Sequence, residues 1–225
     1  MNYPYILLDA DDTLLDFDRS ETCALRDTLA RCGLPSDDGL LARYKEINKG
    51  WWRAFECGET TKPALVVARW ADFLRACGSG ANPAAANAFY MERLGSYSFT
   101  LPGAEALCAE LARRGHVLAL VTNGTADVQR RRWSASPAAK YVPQVFISEE
   151  MGSQKPEKRF FDQVLAALGG PDRGRCLVVG DSETSDMRGG KNAGIPTCWY
   201  NPAGRAAAEP WDHEIRTLAA LLTVV

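Results

Sequence analysis

Short apolar runs alternate with amphipathic stretches over two parts of the chain, residues 1–17 and 98–225. The runs fall at 5–8, 117–121, 145–147, 176–179 and 195–199. They are continuous rather than alternating, the pattern of strands buried on both faces of a parallel sheet. Helical periodicity fills the gaps at 103–114, 126–133, 157–168 and 185–193, which predicts an α/β core with helices on both sides of the sheet. Residues 18–97 read differently. They show helical spacing at 20–32, 41–57, 63–77 and 83–95, breakers at Gly33-Leu34-Pro35 and Gly78-Ser79-Gly80, and no buried strand. The simplest division is a core of 1–17 and 98–225 interrupted by an all-helical insertion over 18–97, with 201–210 as a loop.

Composition narrows the class of function. With 46% hydrophobic and 24% charged residues in 225, the chain is that of a globular protein,. No apolar run approaches the length that spans a bilayer, and the start lacks a basic stretch followed by an apolar one; a cytoplasmic location away from membranes is the expectation. A net charge of −2 gives no basic footprint for a nucleic acid polymer,. Arg130-Arg131-Arg132 reads as a solvated helix face. Seven scattered cysteines without a C-x-x-C pair read as reduced structural thiols,.

The candidate chemistry collects where strands end, the edge at which parallel sheets bind ligands. The first run passes directly into Asp9-Ala10-Asp11-Asp12-Thr13. Carboxylates this close repel one another unless a cation neutralises them, and oxygen donors favour Mg2+. An acidic loop with Asp12 or Thr13 capping the next helix accounts for the same residues. The second run ends Thr122-Asn123-Gly124, a hydroxyl and backbone N–H groups suited to phosphate or simply a turn. Lys155-Pro156 places a lysine just before a proline expected to open a helix, and by itself this could be a surface lysine. The fourth run ends Gly180-Asp181-Ser182-Glu183-Thr184-Ser185-Asp186, two aspartates five apart that could also be a capping loop,. The four together, in this order, outweigh the separate bland readings.

These residues resemble a known set. Asp9-x-Asp11-x-Thr13, Thr122-Asn123, Lys155-Pro156 and Gly180-Asp181-x4-Asp186 are similar to motifs I to IV of the haloacid dehalogenase superfamily, and the helical insertion resembles its C1-type cap. The resemblance implies a Rossmann-like parallel sheet and an aspartate nucleophile. Asp9 would attack phosphorus, Asp11 would protonate the leaving oxygen and then deprotonate water, and Lys155 would complete the catalytic set. Mg2+ would sit on Asp9, the backbone carbonyl of Asp11, and Asp181, with Asp186 acting through metal-bound water or Lys155. Thr122 and Asn123 would hold phosphate. Asp11 separates this pattern from the dehalogenases, which characteristically lack an aspartate at that place.

A closer similarity, to the pyrimidine nucleotide phosphatases (5'-nucleotidases) of that superfamily, runs through Leu8-Asp9-Ala10-Asp11 with Thr13-Leu14, Ile147-Ser148-Glu149-Glu150, Thr197-Cys198-Trp199 and Asn48-Lys49-Gly50-Trp51-Trp52. It implies a small phosphorylated metabolite, a nucleoside monophosphate, as substrate. Trp51, Trp52, Phe55 and Tyr44 could stack on a base, and Asn48 and Lys49 could read its polar edge, although aromatics at helical spacing also pack a small core. The segment 134–143 lacks the glycine and Tyr-Phe-Asp run of that subfamily. The alternatives are a sugar phosphate or phosphoglycolate phosphatase with the same core, and, more remotely, a non-enzymatic phospho-acceptor receiver domain.

Overall fold

The computed structural model describes residues 2–225. Among them the chain forms six strands: β1 (Tyr5–Leu8), β2 (Val117–Thr122), β3 (Gln144–Ile147), β4 (Cys176–Gly180), β5 (Thr197–Tyr200) and β6 (His213–Ile215). Nine α-helices accompany them. Four fall before β2, namely α1 (Phe17–Arg31), α2 (Asp38–Glu56), α3 (Lys62–Ala76) and α4 (Pro83–Ser96), and α5 (Ala104–Arg113) leads into that strand. After it come α6 (Ala126–Ala135), α7 (Ser148–Met151), α8 (Lys158–Ala167) and α9 (Arg188–Ala193). The chain separates into two compact units, one joining the stretch up to Phe17 to Ser98–Val225 and the other being Asp18–Tyr97.

The first unit is built on one all-parallel sheet in the order β3-β2-β1-β4-β5-β6. Strand order reverses at β1, whose neighbours are β2 and β4, the switch point where a doubly wound sheet opens a crevice for ligand. Alternation along the strands sorts the core into two layers. Ile6, Leu8, Leu118 and Leu120 pack with Leu107 and Leu111 of α5 on one side. Leu7, Ala119, Val121 and Val178 pack with Phe160, Phe161 and Val164 of α8 on the other. The unbroken apolar runs therefore mark strands covered on both faces.

Two departures from expectation concern the last strands. The run anticipated at 195–199 becomes β5 at Thr197–Tyr200: Gly194 takes a left-handed backbone (φ 68°) to end α9, and Pro196 has no N–H for the ladder. The three-residue β6 was not anticipated, since a segment this short with a charged Glu214 gives no apolar signal. His116 immediately precedes β2 with Nδ1 2.8 Å from the Tyr3 carbonyl oxygen, while the His213 ring in β6 meets the Tyr3 hydroxyl at 3.0 Å.

The helical unit has its own interior. Tyr44, Trp70 and Tyr90 are fully buried together, the rings of Tyr44 and Trp70 4.6 Å apart and those of Trp70 and Tyr90 5.5 Å apart. A buried polar relay runs beside them: Arg69 donates to the Asn48 carbonyl at 2.7 Å, and the Asn48 amide donates to Glu21 at 2.7 Å. Tyr44 and Asn48 thus serve the unit's own packing, and Phe55 is buried as well. Trp51 donates from its indole to Asp72 at 3.0 Å, and Trp52 stands edge-on to Phe55. Lys49 is exposed. No helix of the described residues is long and apolar enough to cross a membrane.

Candidate active site

β1 and β4 end side by side at the switch point, and each delivers an aspartate as it leaves the sheet. The Asp9 N–H still donates to the Val179 carbonyl at 2.9 Å, so Asp9 is fixed by the ladder itself. The chain then reverses in a tight loop, with both Leu14 and Leu15 N–H groups returning to the Ala10 carbonyl. Asp12 has a left-handed backbone (φ 56°), and its carboxylate accepts from the Phe17 N–H at 3.1 Å, at the start of α1. Within the acidic loop Asp12 thus supports the start of α1.

Lys155 is the hub. It is 1% exposed and spends its three ammonium hydrogens on Asp9 Oδ1 at 2.5 Å, Asp186 Oδ1 at 2.6 Å and the Val121 carbonyl at 2.9 Å. Its backbone is held by the Asn123 side chain in a reciprocal pair, N–H to Oδ1 at 2.9 Å and Nδ2–H to the Lys155 carbonyl at 2.7 Å. The expected surface alternative for Lys155 is excluded by this burial. Pro156 does not open the helix as anticipated, because α8 begins two residues later at Lys158.

Asp186 reaches the cluster from a single wide helical turn, Glu183–Met187, and its second oxygen accepts from the Ser182 N–H at 3.2 Å. A glycine at the end of β4 makes room: a Cβ on Gly180 would lie 2.2 Å from Asp186 Oδ2. Asp181 is half-buried, its backbone carbonyl accepting from the Trp199 indole at 2.9 Å and from Arg205 at 3.1 Å. Thr122 is 2% exposed, and its Oγ1 accepts from the Gly124 N–H at 3.1 Å and the Gln129 amide at 2.8 Å. Two acceptances leave the hydroxyl hydrogen to donate.

The electrostatics of the cluster is dominated by negative charge. Burial pushes the Asp9 carboxyl above the usual carboxylate range, with Lys155 pulling down against it and Asp186 and Asp11 adding to the rise. Burial, then Asp9 and Asp186, push Asp181 well above the usual carboxylate range. For Lys155, burial works against the charge, yet Asp186 and Asp9 together hold the ammonium above its ordinary pKa. Three carboxylates thus face one ammonium. Oxygens of Asp9, Asp181 and Asp186 lie within 4.8 Å of one another, and among the described residues none donates a hydrogen bond to the Asp181 carboxylate. An all-oxygen donor set with surplus negative charge fits a hard divalent cation.

Asp11 points to a different partner. Its Oδ1 lies 2.5 Å from Nη1 of Arg132, and its Oδ2 accepts from the Gln129 amide at 2.7 Å. This corrects the expectation for Arg130-Arg131-Arg132. Arg130 is exposed and pairs with Glu150, and Arg131 pairs with Asp127, but Arg132 is fully buried. Helical spacing puts Val128, Gln129, Arg132 and Trp133 on one face of α6,. Reading that face rather than the charge run would have found both residues.

Residues 3–194 match the model of the haloacid dehalogenase-like hydrolase family. The chain is 36% identical over 205 residues to the pyrimidine 5'-nucleotidase PynA of Streptococcus pneumoniae, a match covering 90% of this chain and 85% of that one. It is 32% identical over 213 residues to the pyrimidine 5'-nucleotidase YjjG of Escherichia coli, covering 93% and 91% respectively. The solved structure of the HAD-hydrolase YfnB of Bacillus subtilis bound to magnesium agrees with TM-score 0.94 at 34% identity, over 100% of this chain and 99% of that one.

Proposed function

Since the chain belongs to the haloacid dehalogenase-like hydrolase family, we propose that it is a Mg2+-dependent phosphomonoesterase that hydrolyses pyrimidine nucleoside 5'-monophosphates through an aspartyl-phosphate on Asp9. The observation that carries the mechanism is the buried Lys155, joined at 2.5 Å to Asp9 and at 2.6 Å to Asp186 beside Asp181. The substrate class rests on the relatives PynA and YjjG, and the cation on the donor set together with magnesium in YfnB.

Asp9 attacks phosphorus with one carboxylate oxygen while Lys155 fixes the other, which turns one hard displacement into two easier ones. Asp11 gives its proton to the departing nucleoside oxygen, then takes one from the water that releases phosphate. Lys155, the Thr122 hydroxyl and the Asn123 N–H stabilise the charge on the phosphoryl oxygens. Mg2+, held by Asp9, Asp181 and the backbone carbonyl of Asp11, would neutralise the surplus carboxylate charge and polarise the phosphoryl group. Asp186 orients Lys155. Lys49, Trp51 and Trp52 recognise the nucleoside, whereas Asn48 is occupied on both sides by Glu21 and Arg69.

The test is phosphate release from dUMP, dTMP, UMP, AMP, phosphoglycolate and hexose phosphates, with Mg2+ and with EDTA, for the protein and for Asp9→Asn. Preference for the pyrimidine nucleotides and an inactive Asp9→Asn are expected. Turnover by Asp9→Asn would remove the nucleophile, and activity on sugar phosphates alone would remove the nucleotidase reading.

A further inference from the structure

Two polar residues of α6 are buried with no role in the scheme above. Gln129 is 1% exposed and Arg132 is 0% exposed. Burying a guanidinium costs several kcal/mol of lost hydration unless it is paired and hydrogen-bonded. Arg132 meets this by donating Nη1 to Asp11 Oδ1 at 2.5 Å and to Gln129 Oε1 at 3.2 Å, with its guanidinium 5.5 Å from the Phe17 ring centroid. Gln129 in turn donates Nε2 to Asp11 Oδ2 at 2.7 Å and to Thr122 Oγ1 at 2.8 Å. Each oxygen of Asp11 thus has its own donor, and a single amide ties Asp11 to Thr122.

The surroundings are shaped for this contact. A Cβ on Gly124 would lie 2.3 Å from Gln129 Nε2, so only glycine lets the amide in. The helix that carries both residues is braced from α7, where Glu149 accepts from the Ala126 N–H at 2.8 Å and Glu150 pairs with Arg130. Asp11, by contrast, keeps 27% of its side chain exposed, and an aspartate in a solvated loop without these donors would sample several rotamers.

We propose that Arg132 and Gln129 are positioning residues that hold Asp11 in the rotamer from which it transfers the proton, and that Gln129 fixes its distance to Thr122. This rests on Asp11 being the acid and base of the reaction. In the first step the Asp9–phosphorus bond forms, the ester P–O bond breaks, and the proton of Asp11 goes to the leaving oxygen. In the second, water oxygen bonds to phosphorus, the Asp9–phosphorus bond breaks, and the water proton goes to Asp11. A carboxylate accepts at about four lone-pair sites, so two donors leave room for that proton.

Leaving-group chemistry separates positioning from support of the fold. Single-turnover release of the alcohol would be measured with Mg2+ and excess protein, using dUMP, whose leaving oxygen needs a proton, and 4-nitrophenyl phosphate, whose leaving group does not. Asp11→Asn is the reference, and folding is checked by near-ultraviolet circular dichroism. Gln129→Met and Arg132→Met are expected to lower the ratio of dUMP to 4-nitrophenyl phosphate rates by about 10-fold or more, within the range ascribed to general acids, and Arg132→Lys to restore part of it. An unchanged ratio, whether both rates fall together or neither falls, overturns the proposal. Gln129→Met keeps the test decisive if the Arg132 variants do not fold. If Asp11→Asn itself leaves the ratio unchanged, the assignment of Asp11 fails and the positioning role falls with it; if only Asp11→Asn changes it, the positioning role falls alone.

Discussion

Gly180→Ala isolates the geometry of Lys155 without altering any charge. The new methyl would lie 2.2 Å from Asp186 Oδ2 and 2.3 Å from its Cγ, so reaching ordinary contact at 3.4 Å needs a shift of about 1.2 Å. Asp186 is 0% exposed and has no solvent to move into. A shift of that size breaks the 2.6 Å bond from Lys155 and leaves the ammonium with one carboxylate partner, Asp9, and the Val121 carbonyl. Misplacement of about 1 Å in a catalytic constellation costs roughly 10²-fold, equivalent to about 2.7 kcal/mol of barrier. Overpacking adds about 1–3 kcal/mol of destabilisation, so melting falls by several degrees. Steady-state phosphate release from dUMP with saturating Mg2+ at 25 °C, far below the melting transition, separates the two effects. If Gly180→Ala folds and turns over within about threefold of the parent, the claim that Asp186 holds Lys155 in its working position is wrong.

Three further outcomes follow from the same structure. EDTA is expected to stop phosphate release, Mg2+ to restore it, and Mg2+ at about 100 times its dissociation constant to stabilise the folded protein by about 2.7 kcal/mol, read as a rise in melting temperature. Lys155→Met removes the ammonium bonded to both Asp9 and Asp186 and should lower kcat by about 10²-fold or more, measured with dUMP. Gly50→Ala, in the exposed interior of α2 with open space at the new methyl, should stabilise the helical unit by about 1 kcal/mol, seen as a higher urea midpoint.

How readable the fold is depends on how each element is stabilised. β1, β2 and β4 are covered on both sides, so each is a run of apolar residues that stands out in the sequence. The helices of the insertion are equally plain, because Leu41, Tyr44, Leu65 and Phe73 recur at helical spacing toward one interior. β6 is held by backbone pairing to β5 at the sheet's edge, and its ladder leaves no trace in residue choice. The wide turn Glu183–Met187 is set by backbone N–H groups donating to the Ser182 hydroxyl and the Asp186 carboxylate, a conformation that apolar periodicity cannot report.

Site residues follow the same division. Asp9, Lys155, Asp181 and Asp186 meet because parallel strands end at one edge, so an order of strand ends already implies their proximity. Gln129 and Arg132 are brought in by a helix face, and there the sequence offers two conflicting cues. A run of three arginines argues for solvent, while the positions beside Val128 and Trp133 argue for the interior. The interior wins at Arg132 because a carboxylate waits there at 2.5 Å, whereas Arg130 and Arg131 find their acids on the surface. A buried arginine must find acceptors for its donors: Arg69 finds them in the neutral amides of Asn48 and Asn87, whereas Arg132 finds a part-buried carboxylate, Asp11, two residues past the proposed nucleophile.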